Sequence, residues 1–279
     1  MSSKRSTFLI SALVFGFAFL YVPILLVMIY SFNEGKLVTV WAGFSTKWYV
    51  SLFSNDGMID AAWNSLRIGV MSATLALALG TPAGLVMSRF GRFKGRTLFS
   101  GMIAAPLVMP EVITGLSLLL LFVTLEQMIG WPAGRGLSTI TIAHTTFCAA
   151  YVAVVVQSRL SGMDTSVEEA AMDLGAKPAK IFFVITLPMI LPALLAGWLL
   201  SFTLSLDDLV IASFVAGPGS TTLPMKVFSS VRLGVSPEIN ALATLIILAV
   251  SVMIVIASLM ILRSERMRSR ASAGADAQH

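Results

Sequence analysis

Long apolar runs alternate with short polar, often basic, stretches along this chain. A helix needs about 20 apolar residues to cross the hydrocarbon of a bilayer. Six runs reach that length: 8–31, 63–88, 99–126, 138–158, 182–206 and 239–262. They predict an all-α polytopic membrane protein with six transmembrane helices. The stretch 32–62 is longer and polar, with turn signals at Asn33–Gly35 and Asp56–Gly57. Segment 88–98, SRFGRFKGRTL, reads as a basic hairpin. Segment 217–238 is less apolar than a span and rich in glycine and proline. Irregular backbone is tolerated at membrane depth only where protein or a cavity shields it. This stretch is therefore expected to fold back at the outer surface as a lid or re-entrant loop. The predicted organisation is a first helix and outer loop (1–62), a five-helix core (63–262) and a basic tail (263–279).

One polar interval has a pattern of its own, within 164–188. Ser166 and Glu169 have the S-x-x-E spacing of a capping box, which predicts a helix start. Val167, Ala170, Ala171 and Leu174 follow i, i+3, i+4, i+7 and form a narrow, shallow apolar face. Gly175 stands where a helix would end, and Pro178 suits the first turn of the next one. Leu187–Pro188 should bend that next helix soon after it enters the membrane. The expected result is a short stiff helix lying on the surface and tied to a span. Helices that rest on lipid favour Lys and Arg on the polar face and Trp, Phe and Leu on the other. This one carries Glu168, Glu169 and Asp173 opposite alanines, which suits a protein groove better than an anionic leaflet.

Composition and charge sharpen the picture. The 279 residues are 57% hydrophobic and 12% charged, against about 25% charged in soluble domains. Cys148 is the single cysteine, which excludes an internal disulfide. His144 and His279 are the only histidines, so no His/Cys metal cluster is available. No catalytic constellation is visible. Of the 19 lysines and arginines, thirteen fall in one set of inter-run segments: at the N-terminus, in 89–96, in 159–180 and after 262. That excess marks the cytoplasmic side and places both termini inside. Trp41, Trp48, Trp63 and Trp131 fall near the opposite face, where indoles favour the headgroup layer. Basic residues in short clusters between apolar runs speak for topology, not for nucleic acid. The first run exceeds the roughly 7–15 residues of a signal-peptide core and is read as a retained helix. GRFKGRT (91–97) lacks the spacing of a phosphate-binding loop. This chain is not expected to bind ATP.

Acidic residues inside apolar runs are functional hypotheses by default. Glu111 falls about midway along the third run. Pro106 and Pro110 break that run, so Glu111 could also open a new half-helix, where the dipole favours an acid. The two readings are compatible, because broken helices often line transport pathways. Asp207 and Asp208 end the fifth run near the outer face, and neighbours on a helix cannot point the same way. Either a solvated helix end or one pathway-facing carboxylate fits. Asn64, Ser65 and Thr114 could serve a pathway or join helices.

Residues 169–188, EAAMDLGAKPAKIFFVITLP, resemble the EAA loop of permease subunits of binding-protein-dependent ABC importers. The pattern E-A-A, three residues, G, nine residues, I-x-L-P is met at Glu169, Ala170, Ala171, Gly175, Ile185, Leu187 and Pro188. Stretches 30–49, 105–122, 202–232 and 237–245 are similar to the polyamine branch of that family, in particular to its putrescine permeases. The resemblance implies the type I importer fold and an inner-membrane subunit that carries putrescine or a related polyamine. It makes Glu169, Ala170, Ala171, Gly175, Leu187 and Pro188 the elements that couple to the ATPase, and Glu111, Asp207 and Asp208 candidates for the substrate path. It also implies partners: a second homologous permease, a cytoplasmic ATPase dimer that uses ATP and magnesium, and a periplasmic polyamine-binding protein. Spermidine or another small solute is the nearest rival cargo. An ion-coupled secondary transporter would call for more spans, internal repeats and an ion site.

Overall fold

The computed structural model describes residues 2–37, 40–233, 236–252 and 255. The described chain is helical, apart from one isolated bridge between Asn33 and Phe44. In order the helices are α1 (Ser2–Tyr30), α2 (Lys47–Phe53), α3 (Asp56–Arg89), α4 (Arg96–Val108), α5 (Glu111–Ile129), α6 (Leu137–Ser161), α7 (Ser166–Asp173), α8 (Pro178–Ile181), α9 (Leu187–Asp207), α10 (Val210–Val215) and α11 (Leu223–Leu233). A helix over Pro237–Val252 follows. Five segments are long and apolar enough to cross a membrane: Phe8–Tyr30, Asp56–Arg89, Glu111–Ile129, Leu137–Ser161 and Pro178–Asp207. The last expected span, 239–262, is covered only to residue 252 and at 255, and the tail 263–279 lies outside the described residues.

The third expected span, 99–126, is corrected to two helices. α4 ends at Val108, Met109 is extended with ψ 135°, and α5 starts at Glu111 after Pro110. The cause is local. A residue before proline is pushed out of the helical region, and Pro110 is itself a good residue at a helix start. α4 has only 13 residues, too few to span alone.

The chain divides into two compact units, residues up to Asp56 together with those from Ser230, and Gly57–Ser229. In the first, the polar stretch after α1 is organised by Asn33. Its side-chain amide donates to the carbonyls of Leu37 (3.1 Å) and Val40 (2.7 Å). Its side-chain oxygen accepts the Ala42 N–H (2.8 Å), and Trp48 Nε1 donates to its carbonyl (2.7 Å). A buried amide can hold a turn-rich segment in this way because every donor and acceptor is used.

In the second unit, α6 is the central helix. Ile140, Phe147, Val152, Val156 and Leu160 are buried in a core shared with Ile68 of α3, Ile190 and Leu194 of α9, and Ile211 of α10. α3 meets α6 backbone to backbone at Gly80 and Gly84. A methyl group at Gly80 would lie 2.6 Å from Val152 Cβ and 2.7 Å from the Ala149 carbonyl oxygen, and one at Gly84 would lie 2.7 Å from that of Ala153. In lipid, close approach through small residues takes the place of a hydrophobic drive between helices. Segment 217–238, expected to be a lid or re-entrant loop, contains the helix α11 over half its length. It is tied back to α3: Asn64 Nδ2 donates to the carbonyls of Gly219 and Thr221, and Ser65 Oγ accepts the Leu223 N–H at 2.7 Å. Asn64 and Ser65 therefore join elements.

Candidate functional site

Two places in the second unit carry polar chemistry against an apolar background. The first is α7. The predicted capping box of Ser166 and Glu169 does not form: Thr165 precedes the helix, and its hydroxyl makes no bond to a backbone N–H but donates to Glu169 Oε1 at 2.8 Å. Asp164 supports the start by accepting the Ser166 N–H (3.0 Å) and hydroxyl (2.8 Å). Those two donors hold the Asp164 carboxyl below the usual carboxylate range. A lowered folded value contributes stability above the unfolded pKa and loses it only as pH falls through the folded one. The support that Asp164 gives Ser166 is thus in place at neutral pH. The helix ends as expected at Gly175, with φ 81°. The Gly175 N–H bonds to the Met172 carbonyl (2.8 Å) and that of Ala176 to Ala171 (3.0 Å), the paired bonds of a Schellman end.

The apolar side of α7 is bare, with Val167 48% and Leu174 89% exposed. Ala170 and Glu169 are exposed beside them. Glu168 turns the other way. Its carboxylate meets Arg89 at the end of α3, with Nε 3.1 Å from Oε2 and Nη2 3.3 Å from Oε1. Thr186 donates to the same Oε1 at 2.8 Å, and Arg89 Nη1 reaches the Leu160 carbonyl of α6 at 3.1 Å. Sequence reasoning placed Glu168 among outward-facing acids and counted Arg89 only for topology. No pattern in either neighbourhood marks the pair.

Between α8 and α9 the chain makes a π-helical turn over Phe182–Thr186. Pro188 follows directly. A proline offers no N–H to the carbonyl four residues back and crowds it with its ring, and a widened turn absorbs both defects. Leu187 and Pro188 are the first two residues of α9 and set the geometry of that helix.

The second place is a cavity of about 310 Å³. It sits where α4 gives way to α5 and α9 to α10, beside Phe147 and Tyr151 of α6. Glu111, Asp207 and Asp208 all line it, and no lysine or arginine does so among the described residues. Glu111 is the first residue of α5 and is exposed. The two aspartates differ, with Asp207 as the exposed last residue of α9. Asp207 is exposed to the cavity, whereas Asp208 is 8% exposed and committed. Its oxygens accept the Ile211 N–H (3.3 Å) and the Ala212 N–H (2.7 Å), capping α10. Its Oδ2 also accepts from Nε2 of the fully buried His144 at 3.1 Å. Nδ1 of His144 lies 2.7 Å from the Ser205 hydroxyl. Sequence reasoning missed His144 as part of this site. The signal was present, since an ionisable residue inside an apolar run is suspect by default.

The chemistry suits a cation. Glu111 and Asp207 present carboxylates to a cavity that no described lysine or arginine lines, and Phe147 and Tyr151 add aromatic rings. Among the described residues no group of three or more His, Cys, Asp or Glu side chains is placed to hold a metal ion.

Comparison with known proteins agrees. Residues 80–269 match the family model described as "Binding-protein-dependent transport system inner membrane component". The chain is 64% identical over 266 residues to the putrescine transport system permease protein PotI of Escherichia coli (strain K12), covering 95% of each. It is 44% identical over 249 residues to the spermidine/putrescine transport system permease protein PotC of the same organism, covering 89% of this chain and 91% of that one. A crystal structure of a bacterial ABC transporter involved in the import of the acidic polysaccharide alginate superposes with a TM-score of 0.69 at 18% identity. The match covers 93% of this chain and 97% of that one, a likeness of fold.

Proposed function

The chain belongs to the inner membrane components of binding-protein-dependent transport systems, as a type I ABC importer permease of the polyamine branch, and from that premise we propose that it forms half of a path for putrescine. α7 is the docking helix for a cytoplasmic ATPase dimer, and Glu169, Ala170, Ala171 and Gly175 form the surface that enters it. The observation that carries this reading is the bare face of α7: a short helix closed by a Schellman end, with no buried residue of its own, joined to the bundle. ATP and magnesium act in the partner. Closure of the ATPase pair moves α7, and the bundle opens outward to a periplasmic polyamine-binding protein. A second homologous permease completes the path. Lipid surrounds the outward apolar faces, and both termini are cytoplasmic.

The acidic cavity lies on that path. A flexible diamine sheds water as it enters, and Glu111, Asp207 and the aromatic rings of Phe147 and Tyr151 replace it. Asp208 holds the break between α9 and α10 and contributes its charge from behind. The reading is tested by reconstituting both permeases and the ATPase in proteoliposomes. Binding protein loaded with putrescine should stimulate ATP hydrolysis and amine uptake together. Spermidine, compared in the same assay, ranks the cargo. Uptake that ignores ATP but follows an ion gradient would replace this reading with a secondary transporter.

A further inference from the structure

Glu168 adjoins the E-A-A triplet but faces into the bundle. α7 is eight residues long, and a helix of that length has little stability of its own. Along the chain it is joined to α8 only through Leu174–Lys177, with a left-handed glycine in the middle. At its other end four residues, 162–165, lead to α6. One carboxylate adds a side-chain tie across the bundle. Glu168 holds Arg89 of α3 and Thr186 of the π turn, while the same guanidinium holds the end of α6 through the Leu160 carbonyl. The Arg89 and Glu168 side chains are only 16% and 14% exposed. Water screens such a pair far less than a surface one, and removing one partner leaves the other buried and uncompensated.

We propose that Arg89 and Glu168 form a latch that carries the motion of α7 directly into α3, α6 and the start of α9. They are positioning residues for transport and touch no substrate. The inference rests on the reading of α7 as the docking helix. It predicts that the latch governs how much hydrolysis is converted into uptake, and not whether the ATPase binds.

The test measures ATP hydrolysed per putrescine imported, in the reconstituted four-component system, for Glu168→Ala, Arg89→Ala and the double variant. Each single change should raise that ratio about fivefold or more, the range of coupling between sites, while the purified complex keeps its ATPase. The double variant should be no worse than the poorer single one, because both remove the same link. Arg89→Lys should fall between, since a point charge cannot serve Leu160 and Glu168 together as the guanidinium fork does. A wild-type ratio in Glu168→Ala would overturn the latch, and so would multiplying losses in the double variant. Loss of the ATPase from purified variants would also overturn it, by assigning Glu168 to docking. If the wild-type complex shows no amine-dependent hydrolysis, the functional reading itself fails, a result separable from any property of the variants.

Discussion

Two adjacent aspartates have taken unlike roles. Asp207 is open to the acidic cavity, whereas Asp208 is buried against His144 and the first turn of α10. Their neutral replacements should therefore fail differently. Glu111→Gln and Asp207→Asn should leave assembly intact and weaken uptake. A charge-assisted contact contributes about 1.5 kcal/mol or more, so the apparent affinity for putrescine in transport should fall about tenfold. Asp208→Asn should act on folding, because the side chain accepts buried hydrogen bonds from Ile211, Ala212 and His144 and bonds to a charged group contribute about 1.5–3 kcal/mol; a lower midpoint of thermal unfolding in detergent would show it. Normal uptake by an assembled Glu111→Gln complex would remove that residue from the path. The sequence announced all three acids, since carboxylates in apolar runs stand out. Which aspartate faced inward was not legible, because the answer depended on His144, more than sixty residues away along the chain.

At the scale of elements, turn chemistry was the most legible feature. Gly175 and Pro178 marked the end of α7 and the start of α8, and both do so for local reasons. A Cβ at Gly175 would meet nothing within 4 Å, so its constraint is the backbone angle, φ 81°, and not space. Asparagine tolerates that region far better than a β-branched residue does. Gly175→Asn should thus retain more ATP-coupled uptake than Gly175→Val, for which a cost of about 1–2 kcal/mol is expected. Equal activity of the two would mean that the Schellman end is not needed. The break at Met109–Pro110 was foreseen only in part. The prolines predicted that Glu111 could open a new half-helix, as it does, while hydropathy, unbroken from 99 to 126, placed both halves in one span. The π turn gave no signal beyond Pro188 itself. The Glu168–Arg89 pair gave none, because long-range pairing leaves no periodic trace.

For the molecule as a whole, five segments able to span, in their order, followed from length and hydrophobicity, because hydrocarbon accepts few alternatives to a continuous helix. Orientation is open to a direct check. Cys148 is buried and donates to the Ser201 carbonyl, so a thiol introduced at Ala170 should be the only one to react readily. Membrane-impermeant maleimide should label Ala170→Cys from the cytoplasmic side and not from the periplasmic side, and bound ATPase should protect it. The glycine seam of α3 and α6 has a mechanical corollary. Two girders that touch at Gly80 and Gly84 with no slack for a methyl group interlock along a long seam and resist sliding, which favours tilting as one beam. Whatever bending an alternating gate requires is left to the two knuckles at Met109–Pro110 and Asp208–Leu209, and the carboxylates stand at those knuckles.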